Sequence, residues 1–571
     1  MVKLLRINML KKSFKFEGLK SEYSMLAGRA LIGKILLDEV DPTCNPLGSK
    51  NKIIFANGIF VGTSFPCPGR LSVGGKSPLT GGIKESNAGG VAATRMGQLG
   101  LRGIVLDGIP DEDELYTLVI SEDKVEFAKS SELRGKGNYE TVAKLREKWG
   151  ETIATVSVGP AGEQMLAGAS VAVSDLFGNP ARHAGRGGMG AILGSKKVKA
   201  LVLLRPAKFD YEPIKNRDEF IKLTKEYNKI LIPKKRGLTV YGTAGMVRLA
   251  DEIGGLPTKN YRMGTFDQME NISGEKLYEI ITTRGGKPTE ACSPGCIIRC
   301  SNRYVDKEGK YLTSGFEYET IALNGSNLLI GDLDLLARID RTCDDMGLDT
   351  IEMGNALAVA MEAGLLEWGD GERAISLLQG VAEGTLEGKI IGSGAATAGR
   401  VLGVTRVTQC MGQGFPAYDP RVFKGMGTVY ATSPMGADHT SGPAIPGRIG
   451  WDTQNPDKYG DLKESKGKIK LAAELQIIVA LCDAFGICYF VWPDLDILAK
   501  AINAKYNWDF DFDRLIAYGK MILLNEHEFN ARAGLPQVNK LPAFFYEEKL
   551  PPTNKKFDLT PEQLRKVIDF F

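Results

Sequence analysis

Three of the chain's nine cysteines fall within nine residues, Cys292-Ser-Pro-Gly-Cys296-Ile-Ile-Arg-Cys300, and no other stretch restricts the fold so tightly. Pro294 removes a backbone donor and Gly295 tolerates positive φ, so the first half reads as a loop. The start, Met1-Val-Lys-Leu-Leu-Arg, has neither a long apolar core nor a small-residue cleavage site. A reducing, cytoplasmic setting is therefore expected, with free thiols rather than a disulfide framework. A loop carrying several thiolates can wrap an inorganic core, and iron–sulfur clusters are commonly held by a close group of three cysteines plus a distant fourth. Zinc sites more often come as paired C-x2-C units. A zinc loop and three unliganded buried thiols are the plain alternatives. The spacing is C-x3-C-x3-C, so it is not the C-x3-C-x2-C of radical-type sites.

At 571 residues the chain needs more than one core, roughly three or four domains by length. Its 43% hydrophobic and 25% charged content is that of a globular protein. A net charge of +3 over 72 basic and 69 acidic side chains gives no reason to expect nucleic acid or membrane as a partner. No apolar run reaches the ~18 residues of a membrane span. Glycine is the outlier: 68 residues, about 12% against a usual ~7%. These glycines gather in discrete motifs, where backbone must approach something closely.

Residues 1–20 read as a hairpin and 21–39 as a helix capped by Ser21. Ile53-Ile54-Phe55 and Ile59-Phe60-Val61 read as short strands. Two glycine-rich regions follow, Gly69-Arg70 through Asn87-Ala88-Gly89-Gly90, and Arg182-His183-Ala184-Gly185-Arg186-Gly187-Gly188. Both expose N–H groups and guanidinium forks suited to phosphate or another anion, although hairpin turns and a solvated loop would look the same. Residues 1–210 are thus expected to be one β-rich domain, and from about 211 the pattern turns helical.

Two helices share an ending. Leu336 to Met346 closes in Cys343-Asp344-Asp345-Met346-Gly347-Leu348-Asp349, and Leu471 to Phe485 closes in Cys482-Asp483-Ala484-Phe485-Gly486-Ile487-Cys488. Glycine sits where a left-handed cap belongs. The aspartate opposes the helix dipole in both copies, which implies a specific partner for it. Cys488 is the natural fourth thiol for a cluster.

Together these pieces resemble the tungsten-dependent aldehyde:ferredoxin oxidoreductase family. The resemblance rests on Gly28-Arg29, the SPLTG and SN-x-GG segments, the AGRGG-x-G loop with its following GSK, and the cysteine loop. It extends through Gly315-Phe-Glu-Tyr-Glu-Thr320, both D-x-x-G endings and Tyr418-Asp419-Pro420-Arg421. It implies an α+β fold: an N-terminal β-rich domain of paired sheets (1–210), then two mainly helical domains (211–415 and 416–571), with the cofactor buried at their interface. It also implies tungsten (or molybdenum) held by two pyranopterins of the molybdopterin type, with a Mg2+ ion bridging their phosphates. Asp344, Asp349 and Asp483 would bind the pterin amino groups, and Arg70, Asn87, Gly89, Arg182 and Arg186 the pterin and phosphate ends. Cys292, Cys296, Cys300 and Cys488 would bind one [4Fe–4S] cluster.

In this chain the cysteine spacing departs from the family's commoner C-x2-C-x3-C. No E-x-x-H occurs, so the mononuclear iron that some members place between subunits has no support here. His439, in a polar glycine-bearing loop, stands where the family has its active-site histidine. Glu319 and Glu317 are the candidate bases; at strand spacing both would face one way, with Tyr318 opposite. The resemblance then implies oxidation of a small aldehyde. His439 polarises its oxygen, Glu319 takes a proton, and electrons leave singly through the cluster to ferredoxin or a ferredoxin-like subunit. Either a homodimer or a hetero-complex is compatible. Two alternatives stand beside it: a subunit of an aromatic acyl-CoA reductase-like or other aldehyde- or carboxylate-reducing complex, and a non-enzymatic iron–sulfur subunit.

Overall fold

The computed structural model describes residues 2–571. Two six-stranded sheets build its first third. One contains β1 (Lys3–Asn8), β2 (Ser13–Gly18), β3 (Ile53–Asn57), β4 (Leu71–Lys76), β5 (Ile83–Ala88) and β6 (Leu101–Asp107), in the order β2-β1-β6-β3-β4-β5. The other contains β7 (Tyr116–Ile120), β8 (Val125–Lys129), β9 (Ala154–Ser157), β10 (Val171–Val173), β11 (Arg182–Ala184) and β12 (Val198–Leu203), in the order β8-β7-β12-β9-β10-β11. Adding six to each label of the first sheet yields the second. Each has one parallel pair, β1 with β6 and β7 with β12. The helices recur too: Gly28–Glu39 matches Asn138–Trp149, and Ala92–Gln98 matches Met189–Ser195. The domain is one topological unit built twice.

Alternation along the strands explains why the two sheets pair. Leu5, Ile7, Ile53, Phe55, Leu118 and Leu201 point inward to one shared core, while Leu4, Ile54, Ala56 and Val105 point out beneath the helix Gly28–Glu39. On the second sheet Val119, Ala200 and Val202 do the same beneath Leu145 of the helix Asn138–Trp149. Period-two burial on both faces gives strands that are apolar throughout.

The helical remainder carries a three-stranded antiparallel sheet, Lys287–Glu290, Ser301–Val305 and Tyr311–Ser314. The cysteine loop connects its first two strands. The last helix starts with a capping box at Thr560 and Gln563, with Pro561 in its first turn. Among the described residues no helix is long and apolar enough to cross a membrane.

The shared helix endings behave as the sequence predicts. Helices Leu333–Met346 and Lys468–Phe485 stop at Gly347 (φ 73°) and Gly486 (φ 70°) in the left-handed conformation. Each end docks on one half of the duplicated domain. Ser170 donates its N–H to Gly347 O at 2.8 Å, and Arg70 donates to Gly486 O at 3.2 Å. Gly159 lies against the Met346–Gly347 peptide and Gly58 against Phe485–Gly486, each so close that a Cβ would collide with backbone. Gly159→Ala or Gly58→Ala is therefore expected to cost about 1–3 kcal/mol by overpacking, read as a lower thermal unfolding midpoint.

Two local expectations fail at these same contacts. Ser21 opens only a single turn, Ser21–Tyr23, and the helix starts at Gly28 after an extended Ala27 that uses no side-chain cap. Gly28 adopts φ 45° against the carbonyl of Asp483, so the chain must break there before it can coil. Ile59-Phe60-Val61 is a turn rather than a strand. Gly58 is pressed onto the helix end, and Phe60 leaves the sheet to stack on Phe65 with ring centroids 4.3 Å apart.

Candidate active site

The duplicated domain, the cysteine loop and the two helix ends surround a cavity of about 730 Å³. Of the residues singled out in the sequence, all but Cys296 and Asp483 border it.

Backbone bonds assemble the thiol corner. Gly90 donates to Cys292 O at 2.8 Å, Cys488 donates to Cys67 O at 3.0 Å, and Cys67 donates to Gly295 O at 3.1 Å. Cys292 touches Cys296, and that contact together with burial pushes its thiol well up. Burial pushes Cys488 up to about 12, with Arg70 opposing, and it holds Cys300 high as well. Thiols so placed become thiolates only when a cation compensates them. Among the described residues no three His, Cys, Asp or Glu side chains converge as a site for a single ion.

The three arginines differ. Arg70 is tied to Asn87, through its Nε to the side-chain oxygen and its Nη2 to the carbonyl at 3.1 Å. Arg186 is bound to Ala437 O (2.6 Å), Gly414 O (2.5 Å) and Asp349 (3.3 Å), so much of its donor capacity holds the fold. Arg182 donates Nη1 to Ser301 Oγ at 2.7 Å, while its Nε and Nη2 are buried without a partner. A buried guanidinium with idle donors beside a cavity is a ready anion fork.

The two helix-end aspartates have unlike neighbours. Asp344 lies 3.1 Å from His183 Nε2, and burial pushes its carboxyl up to about 8. Burial also holds His183 down at about 4, so it is neutral. Asp483 instead lies 3.2 Å from Arg29 Nη1, whose other two donors grip Glu526 at 2.8 Å each. Asp349 caps the helix Thr350–Glu362 by accepting from Ile351 N at 3.0 Å, which is a structural duty besides any binding one.

Glu317 and Glu319 are not on a strand. Glu317 is the N-cap position of the helix Tyr318–Asn324, and Glu319 sits in its first turn. They therefore diverge. Glu317 faces Arg182, Arg70 and Thr243, while Glu319 Oε2 accepts from Ala417 N at 2.7 Å. Glu319 Oε1 has no partner and lies 3.7 Å from His439 Nε2. Burial pushes Glu319 up to about 8 and holds His439 down at about 4, against the pull of Asp438. At neutral pH the pair is thus a protonated carboxyl beside a neutral imidazole, rather than an ion pair. His439 Nδ1 is likewise buried and unpartnered.

Several contributors escaped the sequence reading. Lys84 pairs with Asp438 in full burial and sets the residue before His439; nothing near Lys84 in the sequence signals that partner. Arg29 and Cys67 gave less to go on. Tyr418-Asp419-Pro420-Arg421 turns out to be a buried clamp, Arg421 Nη2 to Asp419 at 2.7 Å, that presents Tyr418 to the cavity.

The family model "Aldehyde ferredoxin oxidoreductase, N-terminal domain" matches residues 4–205, and that for "domains 2 & 3" matches residues 222–571. The chain is 33% identical to the tungsten-containing aldehyde ferredoxin oxidoreductases of Pyrococcus furiosus and Thermococcus kodakarensis, covering 96% of this chain and 92% of each relative. A more distant similarity, 25% identity over 78% of this chain and 76% of the relative, is to the WOR-like subunit of an aliphatic sulfonate oxidoreductase from Pyrococcus furiosus. Among solved structures, the active-site complex BamBC of benzoyl coenzyme A reductase superposes with a TM-score of 0.80. At 20% identity, covering 99% of this chain and 93% of that one, it bears on the fold alone. The chain belongs to the aldehyde ferredoxin oxidoreductase family.

Proposed function

We propose that the protein is a cytoplasmic tungsten (or molybdenum) bis-pyranopterin enzyme oxidising aldehydes to carboxylic acids, with ferredoxin or a ferredoxin-like iron–sulfur subunit as electron acceptor. One observation carries the reading: a single cavity is bordered by thiols of the cysteine loop and Cys488, by Arg182 with idle donors, and by Glu319 facing His439. These residues fit the cofactor set. Cys292, Cys296, Cys300 and Cys488 would hold a [4Fe–4S] cluster. Arg70, Asn87, Gly89, Arg182 and Arg186 would hold the pterins and their phosphates together with a Mg2+ ion, with Asp344, Asp349 and Asp483 at the amino ends. When bound, the metal centre takes up two electrons and the cluster releases them one at a time.

The chain's own residues do the rest. RCHO and H2O give RCOOH, two protons and two electrons, so a group must accept a proton near the carbonyl carbon. Glu319 has one oxygen anchored by Ala417 N–H and the other free in the cavity, as a base requires. His439, neutral, can donate an N–H to the aldehyde oxygen. Glu317, turned towards Arg182, is less suited to that role. Tyr418 lies beside the pair, its ring centroid 6.3 Å from that of His439, and Tyr489 borders the same cavity.

Anaerobically purified protein should contain stoichiometric tungsten or molybdenum and reduce a viologen with at least one member of an aldehyde panel. Metal-replete protein that reduces no viologen with any aldehyde would refute the assigned reaction.

A further inference from the structure

We propose that an acidic iron–sulfur electron carrier docks on the basic, partly apolar face formed by residues 222–241, directly over the Cys296 edge of the thiol group. The proposal rests on the reading that those thiols hold a cluster.

Three observations place this face over the thiols. The helix Arg217–Lys234 packs on the segment leading to Cys67, with Ser64 Oγ and Thr224 Oγ1 2.8 Å apart and the Phe65 and Tyr227 rings 6.1 Å apart. The next helix, Arg236–Tyr241, is tied to the cysteine loop itself, because Thr239 Oγ1 donates to Ile298 O at 2.7 Å. Within that loop Gly295 and Arg299 are exposed, and they flank Cys296, whose Sγ accepts Arg299 N–H at 3.3 Å. Cys296 is partly exposed, as are Cys292 and Cys488, but it is the one of these flanked by exposed residues, while Cys300 is buried.

The chemistry of the face selects the partner. Residues 222–236 carry six basic side chains, Lys222, Lys225, Lys229, Lys234, Lys235 and Arg236, against Glu226 alone, in a chain whose overall charge is only +3. Cations elsewhere in the same helical region can be paired, as Arg248 is with Glu270 and Glu275, and Arg262 with Glu362. Among the described residues none of these six has a carboxylate within ion-pair reach. Amid them Ile230, Ile232 and Tyr241 are 48%, 54% and 40% exposed. Apolar side chains ringed by uncompensated cations are the anatomy of a transient interface steered by charge. Nucleic acid or an anionic membrane would also answer to the charge, but neither explains its placement over the thiols.

The test uses anaerobic holoenzyme and the triple variant Lys229→Glu, Lys234→Glu, Arg236→Glu. An acidic two-cluster ferredoxin is titrated as acceptor, a viologen serves as the small acceptor, and calorimetry reads ferredoxin binding without turnover. The expected result is a rise of about tenfold or more in KM for ferredoxin, with viologen kcat unchanged. Added salt should weaken ferredoxin binding to the wild type and leave the variant little affected. An unchanged KM for ferredoxin in the variant overturns the proposal. So does wild-type protein that binds anionic vesicles or DNA but no ferredoxin at low salt. If no aldehyde reduces viologen, the assigned reaction falls, while calorimetry still decides the docking face.

Discussion

Glu319→Gln is expected to lower kcat by about 10²–10⁴-fold, the usual range for a lost general base, with tungsten and iron content unchanged. The substitution keeps the shape and the acceptor for Ala417 N–H and removes only the basic oxygen facing His439. The pH profile separates this role from a structural one. Burial pushes Glu319 up to about 8, so the basic form is scarce at neutral pH and grows as the proton leaves. Wild-type kcat/KM should accordingly rise with pH through about 8, and the glutamine variant should lack that limb. His439 contributes no opposing limb in this range, since it stays neutral above about 4. Wild-type turnover in Glu319→Gln would remove the base assignment.

Cys488→Ala should abolish the cluster. Iron and acid-labile sulfide should fall from about four each per chain towards zero, and the reduced-cluster EPR signal should vanish, while tungsten or molybdenum remains. The residue is held from both sides, its N–H on Cys67 O at 3.0 Å and its thiol facing Cys292 and Cys296. Retention of four irons in the variant would show that Cys488 is not a ligand.

The sequence exposed the parts of this site that are local. The thiol loop and the left-handed glycine caps were legible because each depends on residues a few positions apart, whereas the approach of Cys488 to Cys292 and Cys296 is a long-range contact that only the shared helix ending hinted at. Glu317 to Glu319 was misread because three residues cannot distinguish a strand from the first turn of a helix; the decision is made by packing, Tyr318 Oη bonding Ala417 O at 2.6 Å. Long-range partners left no mark. Arg29 meets Glu526 and Asp483 across more than 450 residues, and Lys84 meets Asp438 across 354. The doubled sheet was equally hidden, since its halves share strand order and alternation but few identical residues.

That doubling has been put to unequal use. Position for position, Asp349 in one helix ending corresponds to Cys488 in the other, and neutral His183 on one side stands against cationic Arg29 on the other. Under the proposed reading, one half is an anchor and the other a wire: only the Cys488 half offers an exit for electrons. Changes in β10 and β11 should then trim how firmly the cofactor sits, while changes in β4 and β5 should shift its potential.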